Sequence, residues 1–319
     1  MSSLRSSLTL ALAVLMVPAT LAADPCRYLP SEDVGRLTCE SIPAPASDTP
    51  ARPTLRVTTF NVHFGKDVAG LAGALLDNPQ LREADVLLLQ EIDSFPGDRR
   101  AQALAERLGL HLVYAPARLK DEGTHGLALL SRYPIRDVEV VELPHYELGW
   151  STRRRVALIA TLDWSGTPVR VVNAHLDTRL TVAQRREQIR PALERVADAP
   201  RVIVGGDMNT ISCLAALLPG VPVCLPGLSQ GPAFDAFMKD EGFLAPFRRI
   251  GGTGPLHQRL DGIFMRGFEV TGFDKEDAVD VSDHVPLWAD VRLPSDTPAP
   301  VAAGPAAPVG LLLPHRATF

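Results

Sequence analysis

The sequence is short of aromatic residues, of cysteine and of net positive charge, and each shortage narrows the reading. Aromatic residues make up 6% of the 319 positions, few for a protein that holds nucleic acid by stacking bases on rings. Lys and Arg number 32 against 37 Asp and Glu, a formal net charge of −5. A broad basic face gripping a duplex is therefore disfavoured, although one small phosphate site on an acidic body is compatible with this charge. The 4 cysteines lack the two-residue spacing and the nearby histidines of a zinc knuckle. After residue 23 no apolar run is long enough to span a bilayer, and no internal repeat is visible. What is present, 46% hydrophobic and 22% charged residues, describes a globular chain.

The first residues have their own pattern. Met1–Ser7 carries one positive charge, Arg5, and Leu8–Val17 is apolar except for Thr9. Pro18 and the small residues of Ala19–Ala23 follow, with cleavage expected after Ala22 or Ala23. This is the layout of a secretory signal peptide. Leu8–Ala23 falls short of the about 20 residues that a spanning helix needs. Ala-Asp-Pro before Cys26 does not match a lipoprotein cleavage box. We expect a secreted or periplasmic protein with no stable membrane span. In an oxidising compartment an even number of cysteines suggests two disulfides, and local pairing, Cys26–Cys39 and Cys213–Cys224, is preferred among the three connectivities. Residues 1–23 are then a signal peptide and residues 24–53 a short disulfide-stapled segment with a Pro-rich linker, Ser41–Pro53. Residues 54–293 are the folded domain, and residues 294–319 are a disordered Pro/Ala-rich tail.

Within the folded domain, short apolar runs predict strands at Leu55–Phe60, Val86–Leu89, Leu127–Leu130, Val156–Leu162, Val169–Asn173, Val202–Val204, Gly262–Met265 and Pro286–Val291. Helical spacing predicts Ala69–Leu76, Ala101–Leu108, Val182–Val196 and Phe234–Glu241, the third kinked or restarted at Pro191. Several adjacent strands without intervening helices indicate a mixed, largely antiparallel α/β architecture.

Polar residues collect where these strands end. Asn61 closes the first and Gln90-Glu91 the second. Asn173-Ala174-His175 and Gly206-Asp207-Met208-Asn209 close later ones; Asp261 begins a strand, and Ser282-Asp283-His284 precedes the last. A single strand-end carboxylate is usually a solvated cap, but a rigid sheet also places functional groups at such positions. Glu91 with Asn61 nearby is an oxygen-donor set suited to Mg²⁺ or Mn²⁺. Asp207 and Asn209 project from one loop, and the glycines before them permit close backbone approach.

In order along the chain, Thr59-Phe60-Asn61-Val62-His63, Leu89-Gln90-Glu91-Ile92-Asp93, Gly126-Leu127-Ala128-Leu129-Leu130-Ser131-Arg132, Asn173-Ala174-His175-Leu176, Gly206-Asp207-Met208-Asn209, Arg259-Leu260-Asp261-Gly262-Ile263 and Ser282-Asp283-His284-Val285-Pro286-Leu287 resemble the motifs of the endonuclease/exonuclease/phosphatase superfamily. The resemblance covers Leu55–Leu293 and is similar in flavour to bacterial metal-dependent hydrolases. It implies a four-layered α/β sandwich, two packed mixed β-sheets flanked by helices, and hydrolysis of a phosphoester by metal-assisted in-line attack of water.

The same resemblance implies roles. Asn61, Glu91 and Asp283 would hold the metal, Asp283 directly or through water. Asp207 would orient or deprotonate the attacking water, and Asn209 would hold that water or a phosphate oxygen. His175 would contact a phosphate oxygen, where donors stabilise the charge that grows in the transition state. His284 would pair with Asp261, acting either as a general base or as a charged phosphate clamp. One arginine of Arg153, Arg154 and Arg155 would reach the site, with Arg154 or Arg155 expected. Two positions depart from the pattern. Leu127 stands where an Asn is frequent, and His63 stands where apurinic endonucleases carry an acid, which weakens a DNA-repair reading. We expect a monomer acting on a lipid head group or small phosphoester, the alternative being an extracellular nuclease on DNA or RNA.

Overall fold

A computed structural model describes residues 26–29, 39–44, 52–146, 153–211 and 230–294. The expectations for residues 1–23, for Cys213 and Cys224, and for the tail from residue 295 lie outside the described residues. In chain order the elements are β1 (Cys26–Leu29), β2 (Glu40–Ile42), β3 (Leu55–Phe64), α1 (Val68–Asp77), β4 (Val86–Phe95), β5 (Asp98–Arg99), α2 (Arg100–Leu108), β6 (His111–Lys120), β7 (Gly123–Ser131) and β8 (Ile135–Glu142). They continue with β9 (Val156–Trp164), β10 (Thr167–His175), α3 (Val182–Glu194), β11 (Val202–Asp207), α4 (Gly231–Asp240), β12 (Asp261–Arg266), β13 (Glu269–Lys275) and β14 (Leu287–Arg292).

Two mixed sheets result. One has the order β1-β8-β9-β10-β11-β12 and the other β13-β14-β3-β4-β7-β6-β2, with β5 paired to β4. The pairs β3–β4, β10–β11 and β1–β8 are parallel. Successive side chains of a strand face opposite sides, and this alternation builds the layers. On β4, Val86 and Leu88 join an apolar cluster that also holds Leu158, Val171 and Ile203 of the other sheet. Leu87 and Leu89 turn the other way and pack with Leu71 and Leu75 of α1 and Leu104 of α2. On β11, Ile203 faces the facing sheet, while Val202 and Val204 pack with Ile189 and Leu193 of α3 and Phe234 and Phe237 of α4. Helix pair, sheet, sheet, helix pair: the chain is a four-layered α/β sandwich.

Most strands outrun their apolar centres by one to several residues, because ladder hydrogen bonds continue past the hydrophobic stretch. β1, β2, β5, β6, β8 and β13 are additions to the expected strands. β6 contains Pro116, tolerated where the ladder to β7 shifts register between Pro116 and Arg118. β13 is a largely exposed edge strand whose polar residues give little apolar signal. α3 runs through Pro191 without a break, three residues from its end. Its start carries a reciprocal capping box between Thr181 and Gln184. The segment before the domain is not set apart from it: β1 and β2 each add an edge strand to one of the sheets.

Candidate active site

The sandwich gathers the strand-end residues at one end. His175 is the direct ladder partner of Asp207, and Asp207 that of Asp261, so three side chains from β10, β11 and β12 stand side by side. Gly206 makes this approach possible. Its φ is 147°, and a Cβ there would lie 1.9 Å from the Ala174 carbonyl oxygen. On the opposite sheet, β4 is in register with β7 at Leu89–Ala128 and again at Ile92–Gly126, with a shift between them. This bulge puts Glu91 at φ 57° and re-aims its side chain into the cleft. Gln90 is spent on the core instead, donating to Thr59 Oγ1, the Leu88 carbonyl and Asn173 Oδ1.

The resulting cleft holds about 370 Å³ and is lined by Glu91, Arg155, His175, Asp207, Asn209 and His284 among others. Buried Asp207 forms its floor. Oδ1 accepts from the Asn209 backbone N–H at 2.9 Å, and Oδ2 accepts from Asn61 Nδ2 at 3.0 Å. His175 Nε2 stands between two carboxylates, 3.5 Å from Asp207 Oδ2 and 3.8 Å from Glu91 Oε1. His284 Nε2 is 3.9 Å from Asp207 Oδ2, and its Nδ1 is 2.9 Å from Asp261 Oδ2. Asn209 Nδ2 donates to the Leu176 carbonyl, so its amide braces the loop after β10.

Charge states follow from these surroundings. Burial holds the His175 pKa well below 6.5, with Arg155, His125 and His284 adding repulsion, so this ring is neutral. Burial also works against the charged form of His284, but Asp261, through charge and hydrogen bond, and then Asp207 and Asp283 raise its pKa to about 10. Burial and neighbouring Asp261 push the Asp207 pKa up, against the pull of His284 and its two hydrogen bonds. One neutral and one charged imidazole thus flank a single carboxylate.

Not every expected residue opens on the cleft. Arg154 does not: its guanidinium donates to the Ala117 carbonyl and to Glu142. The extended backbone explains the correction, since Arg153 and Arg155 share one face and both line the cleft while Arg154 takes the other. Asn61 is buried and serves Asp207 through its amide, its Oδ1 accepting the His63 N–H at 3.1 Å. Asp261 lies behind His284. Asp283 lines the cleft and is paired with His63 at 2.8 Å on the half-exposed rim. Leu127 is buried in the core between the sheets.

The structure adds roles that the sequence motifs did not assign. Thr253 Oγ1 donates to Asp261 Oδ2 at 2.7 Å and accepts the backbone N–H groups of Leu260 and Asp261. Ser282 Oγ donates to the Asn61 carbonyl and accepts the His284 N–H, joining the last motif to the first. Arg185 is completely buried and donates to the carbonyls of Asp177, Thr178, Leu180 and Met208 and to Gln230 Oε1. These are loop and helix residues without apolar periodicity; the local signals were the motif that Ser282 opens and the Thr-x-x-Gln start of α3, four residues before Arg185.

A divalent cation fits one part of the site. Glu91 lines the cleft and makes no hydrogen bond among the described residues; the neutral His175 ring stands 3.8 Å from it. Together with Asp283 it offers hard carboxylate oxygens, the donors that magnesium and manganese select. Asp207, Asp261 and His284 also present ligand atoms within 4.8 Å of one another. In that trio His284 Nδ1 is committed to Asp261 Oδ2 and the ring is charged, so the imidazole offers no free lone pair, while Asp261 Oδ1 is buried without a hydrogen bond.

A two-sheet sandwich with carboxylates and imidazoles converging at its strand ends is the arrangement this chain shares with the family its sequence matches. The endonuclease/exonuclease/phosphatase family model matches residues 58–284, and the chain belongs to that family. Its members are hydrolases acting on phosphoesters and are generally dependent on divalent metals. The Escherichia coli (strain K12) protein YbhP is 26% identical over 264 residues, covering 75% of this chain and 97% of YbhP. An endonuclease/exonuclease/phosphatase from Beutenbergia cavernae DSM 12333 superposes with a TM-score of 0.56 at 24% identity, covering 79% of this chain and 74% of that one. The human nocturnin catalytic domain, solved with a bound sulfate anion, gives a TM-score of 0.56 at 18% identity, covering 81% and 97%. Both structural likenesses are likenesses of fold.

Proposed function

We propose that the protein is a metal-dependent phosphoesterase acting on a lipid head group or small phosphoester by in-line attack of water. The observation that carries this reading is Asp207 held between a neutral His175 and a charged His284, beside an unbonded Glu91. A magnesium or manganese ion held by Glu91 and Asp283, with Asn61 adjoining, would supply Lewis acidity toward a phosphoryl oxygen. Asp207 orients the attacking water and takes up its proton, and its raised pKa favours that acceptance. His284, charged at neutral pH, acts as a phosphate clamp rather than as a general base. His175 donates toward a phosphate oxygen, and Arg155 neutralises charge on the same group. Asn209 keeps the loop in place.

Acidic composition and few aromatic residues favour a lipid head group or small molecule over nucleic acid. The amino-terminal pattern supports export, and the absence of a free cysteine among the described residues supports an oxidising compartment and the Cys26–Cys39 pairing. The test is a hydrolysis panel with purified protein and Mg²⁺: bis-p-nitrophenyl phosphate, sphingomyelin, phosphoinositides, plasmid DNA and RNA. Turnover of a lipid or of the small diester, abolished by EDTA, is expected. Faster cleavage of DNA or RNA would replace this reading with the nuclease one, and activity that survives full chelation would end the metal-dependent mechanism.

A further inference from the structure

The cationic wall of the cleft holds more positive charge than one phosphate calls for. Arg153 and Arg155 both line the cleft, and neither has a carboxylate within ion-pair distance among the described residues. Arg155 Nε is buried with no hydrogen-bond partner. Arg118, on β6, is half-buried, and its side chain likewise has neither an ion pair nor a hydrogen bond among the described residues. The bond from Arg154 to the Ala117 carbonyl ties the 153–155 segment to β6 at its register shift, and this places Arg118 beside Arg153.

Elsewhere in the molecule arginines that are half-buried like Arg118 and Arg155 are matched with acids: Arg56 with Asp290, Arg170 with Glu139 and Arg259 with Asp235. Three neighbouring guanidiniums without such partners repel one another. Burial and the charge of Arg153 together destabilise the Arg118 cation. An anion bound among them removes that repulsion, and planar guanidiniums suit phosphate oxygens in particular. Arg155 is the one coupled to Asp207 as well as to Glu91, whereas Arg118 is coupled to Glu91, Asp93 and Asp121, and this assigns Arg155 to the phosphate being cleaved. Arg118 and Arg153 are left over.

We propose that Arg118 and Arg153 form a second anion subsite, so that the preferred substrate carries another phosphate group close to the scissile one. This rests on the reading of the cleft as a phosphoesterase site and narrows its substrate class.

Binding tests the subsite without turnover. Isothermal titration of the full chain, without metal, would compare propane-1,3-diol bisphosphate with the monophosphate. At least tenfold tighter binding of the bisphosphate is expected. R153Q and R118M should each cut that preference severalfold, and the exposed control R107Q should not change it. Arg153 is exposed, so R153Q keeps the test open if R118M does not fold. Equal affinity for the two ligands, or equal weakening of both by R153Q, would overturn the proposal.

Hydrolysis in Mg²⁺ then separates the sources of the second phosphate. The dinucleotide dTdT with and without a 5′-phosphate is one pair, and glycerophosphoinositol with and without a ring phosphate is the other. A preference for the extra phosphate that R153Q abolishes identifies its source by the pair in which it occurs. If the bisphosphate binds through Arg118 and Arg153 but no phosphoester is hydrolysed, the subsite stands and the phosphoesterase reading falls.

Discussion

Asp261 Oδ2 and His284 Nδ1 lie 2.9 Å apart, both buried, across 23 positions of sequence. The carboxylate is itself fixed by Thr253, so the imidazole is held in one orientation with Nε2 toward Asp207. The expected consequence is strong coupling. Asp261→Asn and His284→Ala should each lower kcat by roughly 10²–10⁴, and the double variant should be little worse than His284→Ala alone, because Asp261 acts through its partner. Steady-state kinetics of the three variants checks this, and simple additivity would contradict it.

The same pair sets a pH dependence. The His284 pKa rises from 6.5 to about 10 in the folded protein, so folding strengthens proton binding at this ring. The stabilisation is complete below pH 6.5 and is lost as pH rises toward 10. Metal-free wild type should therefore lose more stability across this window than His284→Gln, as measured by urea unfolding at pH 6, 8 and 10. Imidazole resonances of His284 should stay in the protonated range at pH 8 and titrate at lower pH in Asp261→Asn.

Glu91→Gln keeps the shape of the side chain and removes its charge. Turnover should be lost at low Mg²⁺ and partly recovered at high Mg²⁺. Binding alone offers a second check: Mg²⁺ should raise the melting temperature of the wild type, and this shift should shrink in Glu91→Gln. A full shift in the variant would remove Glu91 from the metal site.

Arg185 is a structural test of the loops that frame the cleft. Arg185→Met removes a donor from four carbonyls: those of Asp177, Thr178 and Met208 lose their side-chain partner, while that of Leu180 keeps Gln230 Nε2. Orphaning buried polar groups of this kind should cost roughly 3–5 kcal/mol. Arg185→Lys should recover only part of it, because a single ammonium cannot reach all four acceptors. Chemical denaturation of both variants gives the comparison.

Gly206→Ala should be poorly tolerated for a different reason. Its φ of 147° is uncommon for a side-chain-bearing residue, and the new Cβ would meet the Ala174 carbonyl oxygen at 1.9 Å. A loss of about 3 kcal/mol or more is expected. A melting temperature equal to that of the wild type would show that the strand can move aside.

Much of this molecule was present in the sequence alone. Glu91, His175, Asp207 and His284 sit in short motifs beside apolar strands, and a strand end is a local feature that period-2 alternation reveals. The order of those motifs along the chain carries the four-layered sandwich. Tertiary structure decided the rest. Whether Arg153, Arg154 or Arg155 faces the cleft depends on the phase of an extended segment against its sheet, and a run of three identical residues contains no such phase. The neutral ring of His175 and the charged ring of His284 differ through burial and neighbouring charges supplied by other strands. Arg118, unremarkable in a strand interrupted by Pro116, gains its meaning only beside Arg153, where packing brings two like charges together with no ion-paired acid among the described residues.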